Sequence, residues 1–139
     1  MLGKAIEIAV TAHAGQLDKG GSPYILHPLW VMNKVRHLRT THMIVAILHD
    51  SVEDSDLTFE DIVNHGFSPE VIHSLILLTH VEGQSYDKYI EAISTDEIAT
   101  AVKLRDLEHN SKVTRLKGLR KKDLDRLAKY HRAYTYLKD

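Results

Sequence analysis

The chain has 139 residues, the size of one domain, and 43% of them are hydrophobic, enough to build a core and to set intrinsic disorder aside. Cysteine is absent, which excludes disulfides and thiolate ligands and leaves nitrogen and oxygen for any metal. Formal charge nearly cancels at −1, but unevenly: residues 111–139 sum to +7 and residues 1–110 to −8, so the C-terminal segment offers either solvated helix faces or an attraction for anions.

Apolar spacing is helical along the chain, and strand alternation is missing. Residues 2–14 read as a helix with Leu2, Ile6, Ala9, Val10 and His13 on one stripe, and a polar loop from Gly15 to Pro23 follows. A second helix is expected from Pro28, a residue tolerated in a first turn, through Val35, and a third from Thr41 to about Glu53. Thr58 with Asp61 has the form of a capping box opening a short helix to Asn64, which His65-Gly66 ends. Ser68-Pro69-Glu70 supplies an N-cap, a first-turn proline and an early acid for a helix through Leu78. Residues 86–93 form another short helix; Ser94 with Glu97 has the form of a second capping box, opening a helix that reaches about Asn110; a last helix covers about 123–137. Seven or eight helices around one core make an all-α bundle. The longest apolar runs, such as Met43 to Leu48, are too short to span a bilayer, and the N-terminus has no signal-peptide core, so a cytoplasmic protein without membrane association is expected.

Four segments carry candidate chemistry. They are Gly20-Gly21-Ser22-Pro23-Tyr24-Ile25-Leu26-His27-Pro28, His49-Asp50-Ser51-Val52-Glu53-Asp54, Lys103-Leu104-Arg105-Asp106-Leu107-Glu108-His109-Asn110 and, more weakly, Thr11-Ala12-His13-Ala14-Gly15-Gln16. Each has a commonplace explanation on its own: His27 can cap a helix, the His49-Asp50 pair can mark where a helix meets water, and Asp106 can pair with Arg105 or a lysine. Most of the ten histidines are ordinary surface or hydrogen-bonded residues. Yet four ionisable groups between His49 and Asp54, directly behind an apolar stretch, are costly to bury unless a cation or proton compensates them. Two histidines and two aspartates together make a mixed nitrogen and oxygen set, suited to Mn²⁺, Fe²⁺ or Zn²⁺ rather than Ca²⁺ or Mg²⁺. Four protein ligands leave an open position for water, as a catalytic site needs. A carboxylate such as Glu53 or Asp54 can take a proton from that water.

The ordered set His27, His49-Asp50 and Asp106 resembles the signature of HD-domain phosphohydrolases. Ala12-His13 through Gln16, Asp18-Lys19 and Pro23-Tyr24-Ile25 with His27-Pro28 are similar to the opening of RelA/SpoT-type alarmone hydrolases, as are Leu48-His49-Asp50 with Val52-Glu53-Asp54 and Lys103-Leu104 with Asp106 and His109-Asn110. The resemblance covers roughly residues 5–112. It implies an HD-type helical domain over residues 1–139 that removes the 3′-pyrophosphate of guanosine tetra- or pentaphosphate; the sequence ends at Asp139, so the synthetase domain that bifunctional members carry after it is not expected. By the same resemblance His27, His49, Asp50 and Asp106 bind Mn²⁺ or another divalent transition metal, and Glu53 and Asp54 are the catalytic acidic pair. Lys19, Ser22, Tyr24 and Asn110 contact the nucleotide. The implied partner is a small-molecule nucleotide; nucleic acid is not expected, and a homo-oligomer is allowed. Arg105 stands where the family has a small residue, free to reach a phosphate or pair with a nearby acid. Two other functions fit the same residues: an HD phosphohydrolase for a different phosphorylated nucleotide, and a module that binds a nucleotide without turnover.

Overall fold

A computed structural model describes residues 1–139. The chain forms eight α-helices and no strand: α1 (Leu2–Ala12), α2 (Leu26–Lys34), α3 (Thr40–Leu48), α4 (Phe59–Asn64), α5 (Pro69–Leu78), α6 (Tyr86–Ile93), α7 (Glu97–Asn110) and α8 (Lys121–Lys138), with one 3₁₀ turn at Val113–Arg115. The expected all-α class and helix count therefore hold. The bundle is arranged around α3, which packs against α1, α2, α5 and α7. His42 and every residue from Ile44 to Leu48 are buried, so α3 is apolar nearly all round and runs through the core rather than across its surface. A helix of this kind carries the next two residues, His49 and Asp50, into the interior.

Local chemistry sets most of the boundaries. The Thr58 hydroxyl accepts from the Asp61 amide and the Asp61 carboxylate accepts from the Thr58 amide, completing the expected box. Ser68 and Ser85 cap α5 and α6. Three boundaries differ from the sequence expectation. The cap of α7 is Asp96, not Ser94: its carboxylate accepts from the Ala99 amide and from the Ser74 hydroxyl, whereas Ser94 closes α6 and donates to the Glu91 carbonyl. Helix α2 starts at Leu26, which puts His27 inside its first turn rather than at its cap, with Pro28 still early enough to lose no intrahelical bond. Helix α3 ends at Leu48, and residues 49–54 continue as tight turns, held by Ser51 N–H to Leu48 O and Asp54 N–H to Asp50 O. One side chain also differs. Val10 points to solvent while Ala5, Ile8 and Ala9 form the buried face of α1. No helix is long and apolar enough to cross a membrane.

Candidate metal centre

Three elements meet at one point. His27 comes from the first turn of α2, His49 and Asp50 are the two residues that follow α3, and Asp106 lies in the C-terminal half of α7. One ligand atom from each of the four lies within 4.8 Å of the others. The His27 Nε2 is 2.8 Å from Asp106 Oδ1 and 3.6 Å from Asp50 Oδ2, and the His49 Nε2 is 3.3 Å and 3.1 Å from the same two oxygens. Both Nε2 atoms and both carboxylates thus face a single small volume. The His49 Nδ1 sits 2.5 Å from the Ala46 carbonyl, which only accepts, so that nitrogen carries a proton in either charge state, and an ion held in the cluster would take the Nε2 lone pair. The donor set, the burial and this tautomer fit a divalent transition metal.

The surrounding charges are matched. Burial opposes the charge on Asp106, but Lys103, whose Nζ is 2.8 Å from Oδ2, together with His27 and His49, holds its carboxyl well below the usual range. Burial likewise opposes Asp50, and His49 draws it down to about 2. Lys103 and Asp106 are three residues apart and Asp106 and Asn110 four, so α7 presents all of them on one face. The Asn110 amide donates to Asp106 Oδ1 at 3.0 Å, and the Tyr24 hydroxyl donates to Asp50 Oδ2 at 2.6 Å. Burial and the Asp50 charge push the Tyr24 phenol up, keeping it a donor.

The acidic pair stands beside this cluster. Glu53 accepts the main-chain N–H of His80 at 2.8 Å and lines a cavity of about 400 Å³ with Lys103, Asp106, Asn110 and Lys129. Partial burial, then the charges of Asp50 and Glu53, raise the Asp54 carboxyl above the ordinary aspartate value, giving it a firmer hold on a proton than an exposed aspartate has. The weak N-terminal motif acts on this residue. His13 Nδ1 donates to Gln16 Oε1 at 2.9 Å, and Gln16 Nε2 donates to the Asp54 carbonyl at 2.6 Å.

Of the four residues assigned to nucleotide contact, Lys19, Tyr24 and Asn110 line a second cavity of about 370 Å³. Ser22 lies outside that lining. Its main chain closes the loop instead, through Ser22 N–H to Asp18 Oδ1 and Asp18 N–H to Ser22 O. The two glycines serve packing and turn geometry. A side chain at Gly20 would strike the Arg115 carbonyl, and Gly21 has φ +87. The Gly20 amide is taken by Asp18 Oδ1. Arg115, Arg126, Lys112 and Tyr130, which no motif singled out, complete the wall. Their only sequence signal was the basic excess after residue 110. Arg105 reaches neither cavity; it pairs with Glu108 at 2.8 Å.

An all-helical bundle in which a His, a His-Asp pair and a distant Asp converge is an HD-type domain. No family model matches the chain. It is 35% identical over 123 residues to a probable GTP pyrophosphokinase of Mycobacterium leprae, covering 81% of this chain and 16% of that protein. It is 34% identical over 119 residues to the guanosine-3′,5′-bis(diphosphate) 3′-pyrophosphohydrolase of Aquifex aeolicus, covering 78% and 17%. In fold it matches a solved structure of a metazoan ortholog of SpoT, described as hydrolyzing ppGpp, with a TM-score of 0.81 and 22% identity over 98% of this chain and 84% of that one. Over these residues the chain is a RelA/SpoT-type HD domain. It spans roughly a sixth of the length of those two curated relatives.

Proposed function

We propose that this domain is a metal-dependent phosphohydrolase, with guanosine 3′,5′-bis(diphosphate) or its pentaphosphate as substrate and pyrophosphate with GDP or GTP as products. The observation that carries the reading is the convergence of two imidazole nitrogens and two carboxylates, within 4.8 Å, beside a second acidic pair. The Aquifex relative is named for this reaction. The mixed donor set of His27, His49, Asp50 and Asp106 suits Mn²⁺, Fe²⁺ or Zn²⁺, and among these we assign Mn²⁺ on the resemblance to the alarmone hydrolases. A divalent ion held there would supply Lewis acidity toward the phosphate and lower the pKa of water toward neutrality.

The rest is done by the chain. Asp54, with its raised pKa, accepts a proton from the attacking water and returns it to the 3′ oxygen as the ester bond breaks. Glu53, pinned by the His80 amide, orients that water. Lys19, Lys112, Arg115 and Arg126 face the cavity and offset the phosphate charges, while Tyr24 and Asn110 steady the two carboxylates they bond to. With Arg105 bonded to Glu108, phosphate contact falls to these cavity residues.

Mn²⁺-loaded protein incubated with guanosine tetraphosphate and a panel of other phosphorylated nucleotides tests the reading. Pyrophosphate and GDP are the expected products. Orthophosphate released from a different nucleotide transfers the assignment to that substrate, and tight binding with no turnover removes the enzymatic reading.

A further inference from the structure

One residue of the α7 cluster has no place in the proposed chemistry: His109, 8% exposed on the turn after Asp106. Its Nδ1 lies 2.7 Å from the Nδ1 of His27. The two rings are tilted by only 12° with centroids 5.0 Å apart. That separation is what the nitrogen–nitrogen distance and the two ring radii add up to, so the imidazoles meet edge to edge in nearly one plane, the geometry of a direct hydrogen bond rather than of a face stack. On its face His109 stacks against Trp30, at 4.4 Å and 17°, and the Lys112 ammonium lies 4.6 Å from the same indole.

A hydrogen bond between two Nδ1 atoms needs one proton and one lone pair. Nε2 of His27 points at Asp50 and Asp106, so an ion held among these groups takes that lone pair and the His27 proton must sit on Nδ1. The acceptor is then His109 Nδ1, which makes His109 a neutral imidazole protonated at Nε2. Its surroundings favour that form. It is buried against Trp30, with the Lys112 ammonium beside the same indole and the Arg115 guanidinium donating to the His109 carbonyl at 3.2 Å, surroundings that disfavour a further positive charge on the ring.

We propose that His109 is a positioning residue for the metal centre. It accepts the Nδ1 proton of His27, fixes the tautomer and plane of that ligand, and is itself held in plane by Trp30. The proposal rests on the reading of the four-residue cluster as a metal centre. Metal ligands are commonly oriented in this way by carboxylates or main-chain carbonyls; here a second histidine fills the role. The His49 ligand uses the main-chain alternative, through Ala46 O. The two imidazole ligands are thus steadied by different devices, and only His27 depends on a side chain.

The test compares native protein with H109L, which removes the acceptor, and H109N, whose side-chain oxygen can take the place of Nδ1. Mn²⁺ affinity is measured on metal-free protein by competition with a chelating dye, with unfolding temperature followed in parallel. H109L is expected to bind Mn²⁺ about 10–100-fold more weakly and H109N to recover most of that loss. Nitrogen NMR of Zn²⁺-loaded native protein is expected to find His109 protonated at Nε2 and bare at Nδ1. Native affinity in H109L, no recovery in H109N, or a proton on His109 Nδ1 overturns the proposal. Because the NMR measurement uses unaltered protein, a failure of H109L to fold leaves it decisive. Native protein that binds neither Mn²⁺ nor Zn²⁺ overturns the metal centre itself, an outcome distinct from a variant that binds as well as native.

Discussion

Asp106 has two duties at the residue scale: one carboxylate oxygen faces His27, His49 and Asn110, and the other holds Lys103. Truncation to alanine therefore confounds two effects, because it leaves the Lys103 ammonium, 12% exposed, without its partner, and breaking a buried pair in this way costs about 3–5 kcal/mol. Asp106→Asn is the cleaner variant, since the amide keeps an acceptor toward Lys103 while removing the ligand charge. It is expected to fold and to lose stoichiometric metal, as read by elemental analysis after gel filtration; a metal content equal to native would remove Asp106 from the ligand set. Glu53 allows the complementary prediction. It hydrogen-bonds to the His80 amide and to none of the four proposed ligands, so Glu53→Ala is expected to keep its metal and lose about 10²-fold in turnover, the scale of a misplaced reacting group. Full activity in that variant would end its proposed role.

At the scale of single elements, the cap of α7 separates the sequence expectation from the structure. The pattern of Ser94 and Glu97 matches a capping box, but Asp96 occupies the cap with the tertiary Ser74 hydroxyl as its second donor, and a contact across 22 residues leaves no trace in a local pattern. Asp96→Ala is expected to lower stability by about 1–2 kcal/mol in denaturant unfolding, while Ser94→Ala stays near native. The reverse order would restore the sequence reading. Helix α8 adds a pH test. The Arg120 amide and then the Arg126 guanidinium lower the Asp123 carboxyl from its ordinary value. A group whose folded pKa is depressed contributes stability that is fully present above its unfolded pKa, about 3.9, and is lost as pH falls through the folded value. The difference in unfolding temperature between native and Asp123→Asn should therefore be full above about pH 4 and shrink below it. A difference that stays constant into acid would mean that the carboxylate charge is irrelevant to the cap.

Across the whole molecule, local grammar was readable and long-range assembly was not. Thr58, Ser68 and the helical spacing announced their helices because capping and periodicity act within a few residues. His27, His49, Asp50 and Asp106 were readable as a set because their chemistry is unusual behind apolar helices. The cavity wall was hidden: Arg115 meets Asp18 across 97 residues, and Arg126 and Tyr130 arrive on a helix whose sequence shows only an excess of charge. The same assembly makes the proposed metal centre a tie between helices. Its proposed ligands come from α2, the two residues after α3, and α7, and α3 packs on both of the other helices. The unfolded chain scatters these residues and has no comparable site, so an ion that binds the folded form alone shifts the folding equilibrium toward it. At free Mn²⁺ about 100-fold above its dissociation constant the stabilisation is about 2.7 kcal/mol, several degrees in unfolding temperature. Unfolding temperature is accordingly expected to rise with the logarithm of Mn²⁺ concentration, to fall back on chelation, and to be insensitive to Mn²⁺ in Asp106→Asn. Equal shifts in native and variant would mean that the stabilising ion binds elsewhere, because only a site that joins α7 to the other two elements depends on Asp106.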